Sequence, residues 1–228
     1  MTDSKSDLRQ WRLPRGRHGL PRELVARSQR ERLLAAVVRV AASNGYESTS
    51  VADILEEAGV GRESFYELFE DKKECLLSAR AILVDDLNAT VAAVYNEPGP
   101  WPERVRNTLA AMLGWFAADP AAAKVVVVEV AAVGAASREL FQSDFARFTK
   151  LMDDGLEQPE PVRGLPRVTA LAIAAALARV YEEVVRDRTA QLPALLPELT
   201  YELLVPFIGE ETAMVEEDRA AEMLAAAE

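Results

Sequence analysis

Residues 51–69 leave the backbone few choices. Two short stretches of helical periodicity, 51–58 and 62–69, are joined by Gly59-Val60-Gly61. Ser50 and Asp53 stand at the spacing of a capping box, which satisfies free amides at the start of a helix. Gly59 can take a left-handed conformation that a Cβ would oppose. Ile54, Leu55 and Val60 supply apolar contacts. Ala52 and Ala58 leave room for a crossing helix, and Phe65 and Phe69, four residues apart, anchor the second helix inward. Two short helices meeting at a tight glycine turn make a helix-turn-helix. Arg62, Glu63, Ser64, Tyr66 and Glu67 are then left on the outward side, the end that enters the DNA major groove in such motifs.

Elsewhere strand signals are nearly absent and apolar residues recur at helical spacing. The helix expected over 30–44 carries Leu33, Leu34, Val37, Val38 and Ala41 on one face and ends at Gly45. Asp71 to Glu74 open a long helix reaching about residue 96, closed by Glu97-Pro98-Gly99-Pro100. Another, with Pro102 in its first turn, reaches about residue 117. Asp119-Pro120 reads as an N-cap with proline at the first helical position. The run Val125 to Val128 would suit a strand, but the caps and the helical surroundings assign it to the helix that Gly134 ends. Residues 137–157 are amphipathic, 158–165 form a loop, 166–188 a long helix, and Pro193 and Pro197 frame a last one ending between 206 and 209. Residues 210–228 are acidic and Ala-rich, and the sequence leaves weak helix and disorder equally open. The expected fold class is all-α: an N-terminal three-helix DNA-binding bundle with a helix-turn-helix, plus a C-terminal helical dimerisation and effector domain. The expected boundaries are a basic arm over 1–27, the DNA-binding domain over 28–75, the helical body over 76–209 and an acidic tail over 210–228.

The formal net charge of -11 argues at first against nucleic acid. Its distribution reverses that argument: residues 1–30 hold eight basic and three acidic residues, net +5, and the remainder is net -16. Phosphate neutralisation is local, so a basic end on an acidic body suits DNA contact at one pole. A solvated basic tail is the plainer alternative. The arm from Trp11 to Arg22 is rich in Arg and Gly and suits insertion into a minor groove; the alternative is a leader that adds only nonspecific attraction. With one cysteine, Cys75, and one histidine, His18, an internal disulfide is impossible and a Cys/His zinc site unexpected. No phosphate loop or paired-carboxylate pattern points to an enzyme, and no cofactor is expected. Cys75 reads as a buried thiol rather than a redox sensor. No apolar stretch reaches the roughly 18–20 residues of a membrane-spanning helix, so a soluble, cytoplasmic protein is expected.

The combination of Gly45-Tyr46, Thr49-Ser50-Val51, Ile54, Ala58-Gly59-Val60, Phe65-Tyr66, Phe69, Asp71-Lys72 and Leu76-Leu77 resembles the TetR family of bacterial regulators over residues 30–79. Gly61, Glu63 and Leu68 depart from the family pattern, which has Ser or Thr, a small residue, and His or Tyr at those places. The resemblance implies that Tyr66 and Lys72 contact the DNA backbone and set register. Thr49, with the first-turn amides of the helix that Ser50 caps, is expected to meet phosphate. Arg62 and Ser64 are the candidates for base edges. Glu63 and Glu67 would accept from cytosine, exclude wrong sites, or pair with Arg62; the last is favoured.

The resemblance further implies a homodimeric repressor released from a palindromic operator by a small, mostly apolar effector. The helix over 166–188, apolar nearly all round, would join 195–207 in a four-helix interface with a second copy; a core helix within one monomer is the alternative. Met112, Trp115, Phe116, Phe141, Phe145, Phe148, Met152 and Tyr181 are the expected effector-binding residues, with plain core as the competing explanation. Effector binding would tilt the helix over 71–96 and change the spacing of the two reading heads. The rival functional class is a ligand-independent architectural DNA-binding protein whose body only oligomerises.

Overall fold

The computed structural model describes residues 21–157 and 165–226. Among these every regular element is helical. The chain forms two compact units, Met1–Ile82 and Leu83–Glu228. The division falls inside a helix, several residues beyond the boundary expected at 75.

The first unit contains α1 (Arg22–Asn44), α2 (Val51–Ala58), α3 (Arg62–Leu68) and the start of α4 (Lys72–Tyr95). Helix α1 begins well before residue 30, so the end of the expected arm is helical. Pro21 at its N-cap cannot continue a helix backward but presets the entry, and Glu23 lies in the first turn, where the helix dipole favours an acid. The proposed arm residues Trp11 to Leu20, and His18 with them, lie outside the described residues. Leu33, Val37 and Ala41 of α1 are fully buried with Ile54 of α2, Phe65 of α3 and Cys75 and Leu76 of α4. Ala52 is exposed, so α3 does not cross there; Ala58 is the small residue at the buried end of α2. Asp71 accepts from the Glu74 amide at 2.8 Å, but the Glu74 carboxylate takes the amide of Glu70 at 2.6 Å, one residue before the position a capping box would use.

The second unit contains α5 (Trp101–Ala118), α6 (Pro120–Val127), α7 (Ala135–Leu151), α8 (Leu165–Val185) and α9 (Leu196–Ala225), with 3₁₀ turns at Glu129–Val133, Asp153–Glu157 and Thr189–Leu195. The valine run is helical through Val127, held by Asp119 accepting from the Ala122 amide at 3.0 Å. The acidic end of the chain is not a loose tail. Beyond a break at Gly209 (φ 76°, ψ 168°), α9 continues to Ala225 and buries Ala213, Glu216 and Ala220 on one face. Glu216 forms a buried ion pair with Arg106 of α5 and also bonds Arg219. The stretch Thr189–Ala225 is long and apolar enough to cross a membrane by length and composition, which the sequence pattern had not suggested. Its apolar residues Leu196, Leu199, Leu204 and Phe207 are spent on the core of this unit.

Candidate DNA-binding surface and effector cavity

The turn between α2 and α3 is built from named contacts. Ser50 caps α2 in a complete capping box: its Oγ accepts from the Asp53 amide at 3.2 Å, and its own amide donates to Asp53 Oδ2 at 2.8 Å. The Ser50 hydroxyl also donates to Asp53 Oδ2 at 2.7 Å, and this bond first, then the one from the Ser50 amide, hold the Asp53 carboxyl below its ordinary range. Gly59 adopts φ 61° and ψ 40°, and a Cβ there would lie 2.8 Å from Arg32 Nη2. That guanidinium donates to the carbonyls of Ala58 and Gly59, closing the orphan end of α2. Val60 is buried behind the turn. Phe65 is fully buried and Phe69 nearly so, their rings 5.7 Å apart, which fixes the rotation of α3.

That rotation decides which predicted residues share the outward face. Arg62, Glu63, Tyr66 and Glu67 are exposed together. Arg62 does not pair with either glutamate. Its Nη2 lies 3.4 Å from the Tyr66 hydroxyl and its guanidinium 5.5 Å from the Tyr66 ring centroid, because Tyr66 stands one turn further along the same face. Ser64 is half-buried and accepts from Gln29 Nε2 of α1 at 3.2 Å, so it faces the unit's own body rather than outward. Thr49 is buried, and its hydroxyl donates to the Gly45 carbonyl at 2.8 Å. Lys72 Nζ donates to the carbonyls of Tyr46 at 2.9 Å, Glu47 at 3.2 Å and Thr49 at 2.6 Å, and sits 4.5 Å from the Tyr46 ring centroid. An ammonium has three donors, and all three are engaged. Lys72, expected from the sequence at the DNA backbone, is here the strut of the α1–α2 loop. Arg32 and Gln29, whose side chains brace α2 and α3, were missed; nothing in their local sequence distinguishes them from solvated helix residues.

Cys75 Sγ lies 3.9 Å from the Leu33 carbonyl, and burial pushes its thiol up to about 12, far from the thiolate form that redox chemistry requires.

In the second unit, residues of five helices line a partly open cavity of about 60 Å³. Tyr95 of α4 lines it, with Val105, Thr108, Leu109 and Met112 of α5. Phe148, Leu151 and Met152 close it from α7 and its C-cap, and Ile173, Ala176, Leu177 and Val180 from α8. Leu199 and Leu203 of α9 complete the wall. Of the predicted effector residues, Met112, Phe148 and Met152 are here. Trp115 and Phe116 are core, with Trp115 Nε1 donating to Asp86 at 2.7 Å, and Phe145 packs against the core outside the lining. Phe141 and Tyr181 are exposed. An aromatic stripe on a helix says which face is apolar, not which layer of that face meets a void, so these five were over-assigned. At one edge, the Tyr95 hydroxyl lies 2.7 Å from the Leu151 carbonyl and 2.9 Å from Asp154 Oδ2, and Arg104 donates to the same carboxylate oxygen at 2.9 Å. Burial first, and then its bond to Asp154, push the Tyr95 phenol up to about 12. Bonds from Tyr95 and Arg104 in turn hold Asp154 below its ordinary range.

A chain whose described residues are helical, with a capped helix-turn-helix in one unit and an apolar cavity in the other, defines a class: two-domain helix-turn-helix proteins. Residues 33–79 match the family model described as bacterial regulatory proteins, tetR family. The chain is 32% identical over 75 residues to the HTH-type transcriptional regulator YezE of Bacillus subtilis, a match covering 33% of this chain and 39% of that protein. It is 27% identical over 138 residues to an HTH-type regulator of Lactococcus lactis encoded in the lacX 3' region, covering 57% of this chain and 69% of that one. Among solved structures it resembles the fatty acid degradation regulator FadR of Bacillus halodurans (23% identity, TM-score 0.69, 77% and 94% of the two chains). It also resembles FadR of Bacillus subtilis, solved in complex with stearoyl-CoA (21% identity, TM-score 0.65, 78% and 97% of the chains).

Proposed function

We propose that this chain is a homodimeric, cytoplasmic transcriptional repressor that grips a palindromic operator with α3 and lets go when an apolar-chain effector fills the cavity of the second unit. The observation that carries this reading is the division of α3 into a fully buried Phe65 and an exposed face of Arg62, Glu63, Tyr66 and Glu67. Arg62 is the candidate for a guanine edge and Tyr66 for a phosphate. Ser50 is exposed beside the start of α2, next to amides that suit a phosphate. Thr49, Ser64 and Lys72 act indirectly, by holding the loop and α3 in place.

Phosphate attraction comes from elsewhere. Residues 21–82 hold nine basic and eleven acidic residues, net -2, whereas residues 1–20 hold five basic and two acidic, net +3. The arm supplies the positive charge, and its removal is expected to flatten the salt dependence of DNA affinity.

A second copy is expected on α8. Leu171, Ala174, Ala175, Ala178, Tyr181 and Val185 are exposed at helical spacing, while the opposite side, with Ile173, Ala176, Val180 and Val184, is buried. An apolar stripe facing water on one side of a half-buried helix supports pairing with its twin, and a palindromic operator needs two copies of α3. The apolar cavity, and the stearoyl-CoA complex of the similar Bacillus subtilis protein, support a long acyl chain as the effector class. A purely oligomerising body would leave that cavity without a role. Helix α4, which begins in the first unit and lines the cavity in the second, is the candidate for transmission.

Selection of bound DNA from a random pool tests the proposal. An inverted repeat with half-sites about 34 Å apart, or a near multiple, is expected. Enrichment of nothing, or of a single half-site, would overturn it. Stearoyl-CoA added to the complex is expected to weaken DNA binding.

A further inference from the structure

The cavity lining contains no charged residue, and one polar side chain in it is unusual. Thr108 is 8% exposed, and its Oγ1 is buried with no hydrogen-bond partner. A threonine inside a helix ordinarily donates to the carbonyl four residues back. Thr90 does so to Asp86 at 3.0 Å, Thr149 to Phe145 at 3.0 Å and Thr200 to Leu196 at 2.6 Å. Thr108 forms no such bond to Arg104, so its hydroxyl proton is uncommitted. An orphaned buried hydroxyl is costly to a fold, and buried polar atoms left this way call for an explanation.

We infer that Thr108 is the polar anchor of the cavity, donating a hydrogen bond to an uncharged acceptor, a carbonyl of the ester, thioester or ketone type, on an otherwise apolar ligand. This rests on the effector reading of the cavity and specifies its ligand class. The wall decides against a free carboxylate. Taking an ion out of water into apolar surroundings needs a partner cation, and none lines this space. It also decides against a plain hydrocarbon, which would leave the hydroxyl as unsatisfied as before. A neutral carbonyl matches one free donor in an apolar wall, and a buried donor aimed at one acceptor discriminates strongly against analogues that lack it.

The test uses three probes of equal chain length, 2-tridecanone, tridecanoate and tridecane, titrated calorimetrically into the full-length protein and into Thr108→Val and Thr108→Ser. The wild type is expected to prefer the ketone to the hydrocarbon by about ten-fold, the scale of one buried hydrogen bond, and to bind tridecanoate most weakly. Thr108→Val, which keeps the shape and removes the donor, is expected to erase the ketone preference while leaving tridecane affinity unchanged; Thr108→Ser is expected to keep it. The melting temperature of unliganded Thr108→Val is expected to stay level or rise, because no internal bond is lost. If Thr108→Val retains the ketone preference, or if its melting temperature drops by several degrees, the anchor assignment fails while the cavity keeps its role. If the wild type binds none of the three, the effector reading of the cavity fails and the anchor with it.

Discussion

The two units differ in what their polar side chains hold. In the first, polar side chains are spent on the unit's own backbone: Lys72 on three carbonyls, Arg32 on two, Ser50 and Asp53 on each other's amides, Thr49 on Gly45. In the second, buried polar atoms such as Thr108 Oγ1, Glu183 Oε2 and Glu202 Oε2 have no bonded partner. A surface that reads DNA must be presented in one geometry, and saturating its loops achieves that. A body that exchanges an empty state for a filled one needs groups whose bonding is completed by something outside the monomer. The contrast can be broken or sharpened by substitution.

The largest effect is expected at the buried ion pair of the second unit. Glu216→Ala leaves the Arg106 guanidinium, whose side chain is 8% exposed, without its main partner. The loss should be about 3–5 kcal/mol of unfolding free energy by chemical denaturation. In the first unit the pair Arg39–Glu57, 2.6 Å apart but 50% and 43% exposed, should contribute under about 1 kcal/mol when Arg39 is replaced by Ala. Comparable losses at the two pairs would remove the distinction between the units.

Next comes Gly155, in the 3₁₀ turn beside the cavity. A Cβ there would lie 2.5 Å from Phe207 and 2.6 Å from Trp101, two rings already packed edge to face with centroids 5.0 Å apart. Gly155→Ala should cost about 1–3 kcal/mol, as overpacking does, and loosen Met152 and Asp154, which precede it in the chain. Calorimetric unfolding checks the first part; an unchanged transition would mean that the turn yields freely.

The third prediction separates stability from recognition. Arg62→Ala should leave the melting temperature unchanged, since the side chain touches only exposed Tyr66. It should relax selection at one base pair per half-site by about 1–3 kcal/mol. Lys72→Ala should do the reverse: it unpins the loop at Tyr46 to Thr49, so any loss of DNA affinity arrives with a fall in melting temperature. A Lys72→Ala protein of full stability and weakened DNA binding would return Lys72 to the phosphate contacts.

What the sequence made legible follows the same divide. Caps, the αL glycine and the Phe65–Phe69 anchor are local, and residues within four positions of each other specify them; the helix-turn-helix was therefore readable in outline. The partners of Ser64 and Lys72 were not, because α1 and the loop before α2 supply them from 23 to 35 residues away. In the body, helix positions were readable from periodicity. The cavity was read in part only, since whether Met112 or Trp115 meets the void depends on how α5 turns against helices far along the chain. The tail's docking was equally hidden: a buried Glu216 on an acidic, Ala-rich segment looks like solvated surface until Arg106 is placed beneath it.

The smallest effect is the most local. Ser50→Ala removes the hydroxyl that caps α2 and should cost about 1 kcal/mol, the usual worth of an N-cap. It also removes the first cause of the depressed Asp53 carboxyl, the bond from the Ser50 side chain. The sign of the pH effect follows from that depression. A carboxyl held below its unfolded value contributes stability that is present above the unfolded value and disappears as pH falls through the folded one. Wild-type stability should therefore fall as pH drops below the ordinary aspartate value of 3.8. In Ser50→Ala the Asp53 part of that fall should shrink, leaving the backbone bond from residue 50 as its remaining source. Unfolding curves of the two proteins should show a stability gap that narrows without closing between neutral pH and pH below the ordinary aspartate value. Acid removes the carboxylate's share of the cap and leaves the Ser50 hydroxyl's bond from the Asp53 amide. Curves that stay parallel would show that Asp53 holds α2 without help from Ser50, and that the start of this helix is less saturated than the rest of its unit.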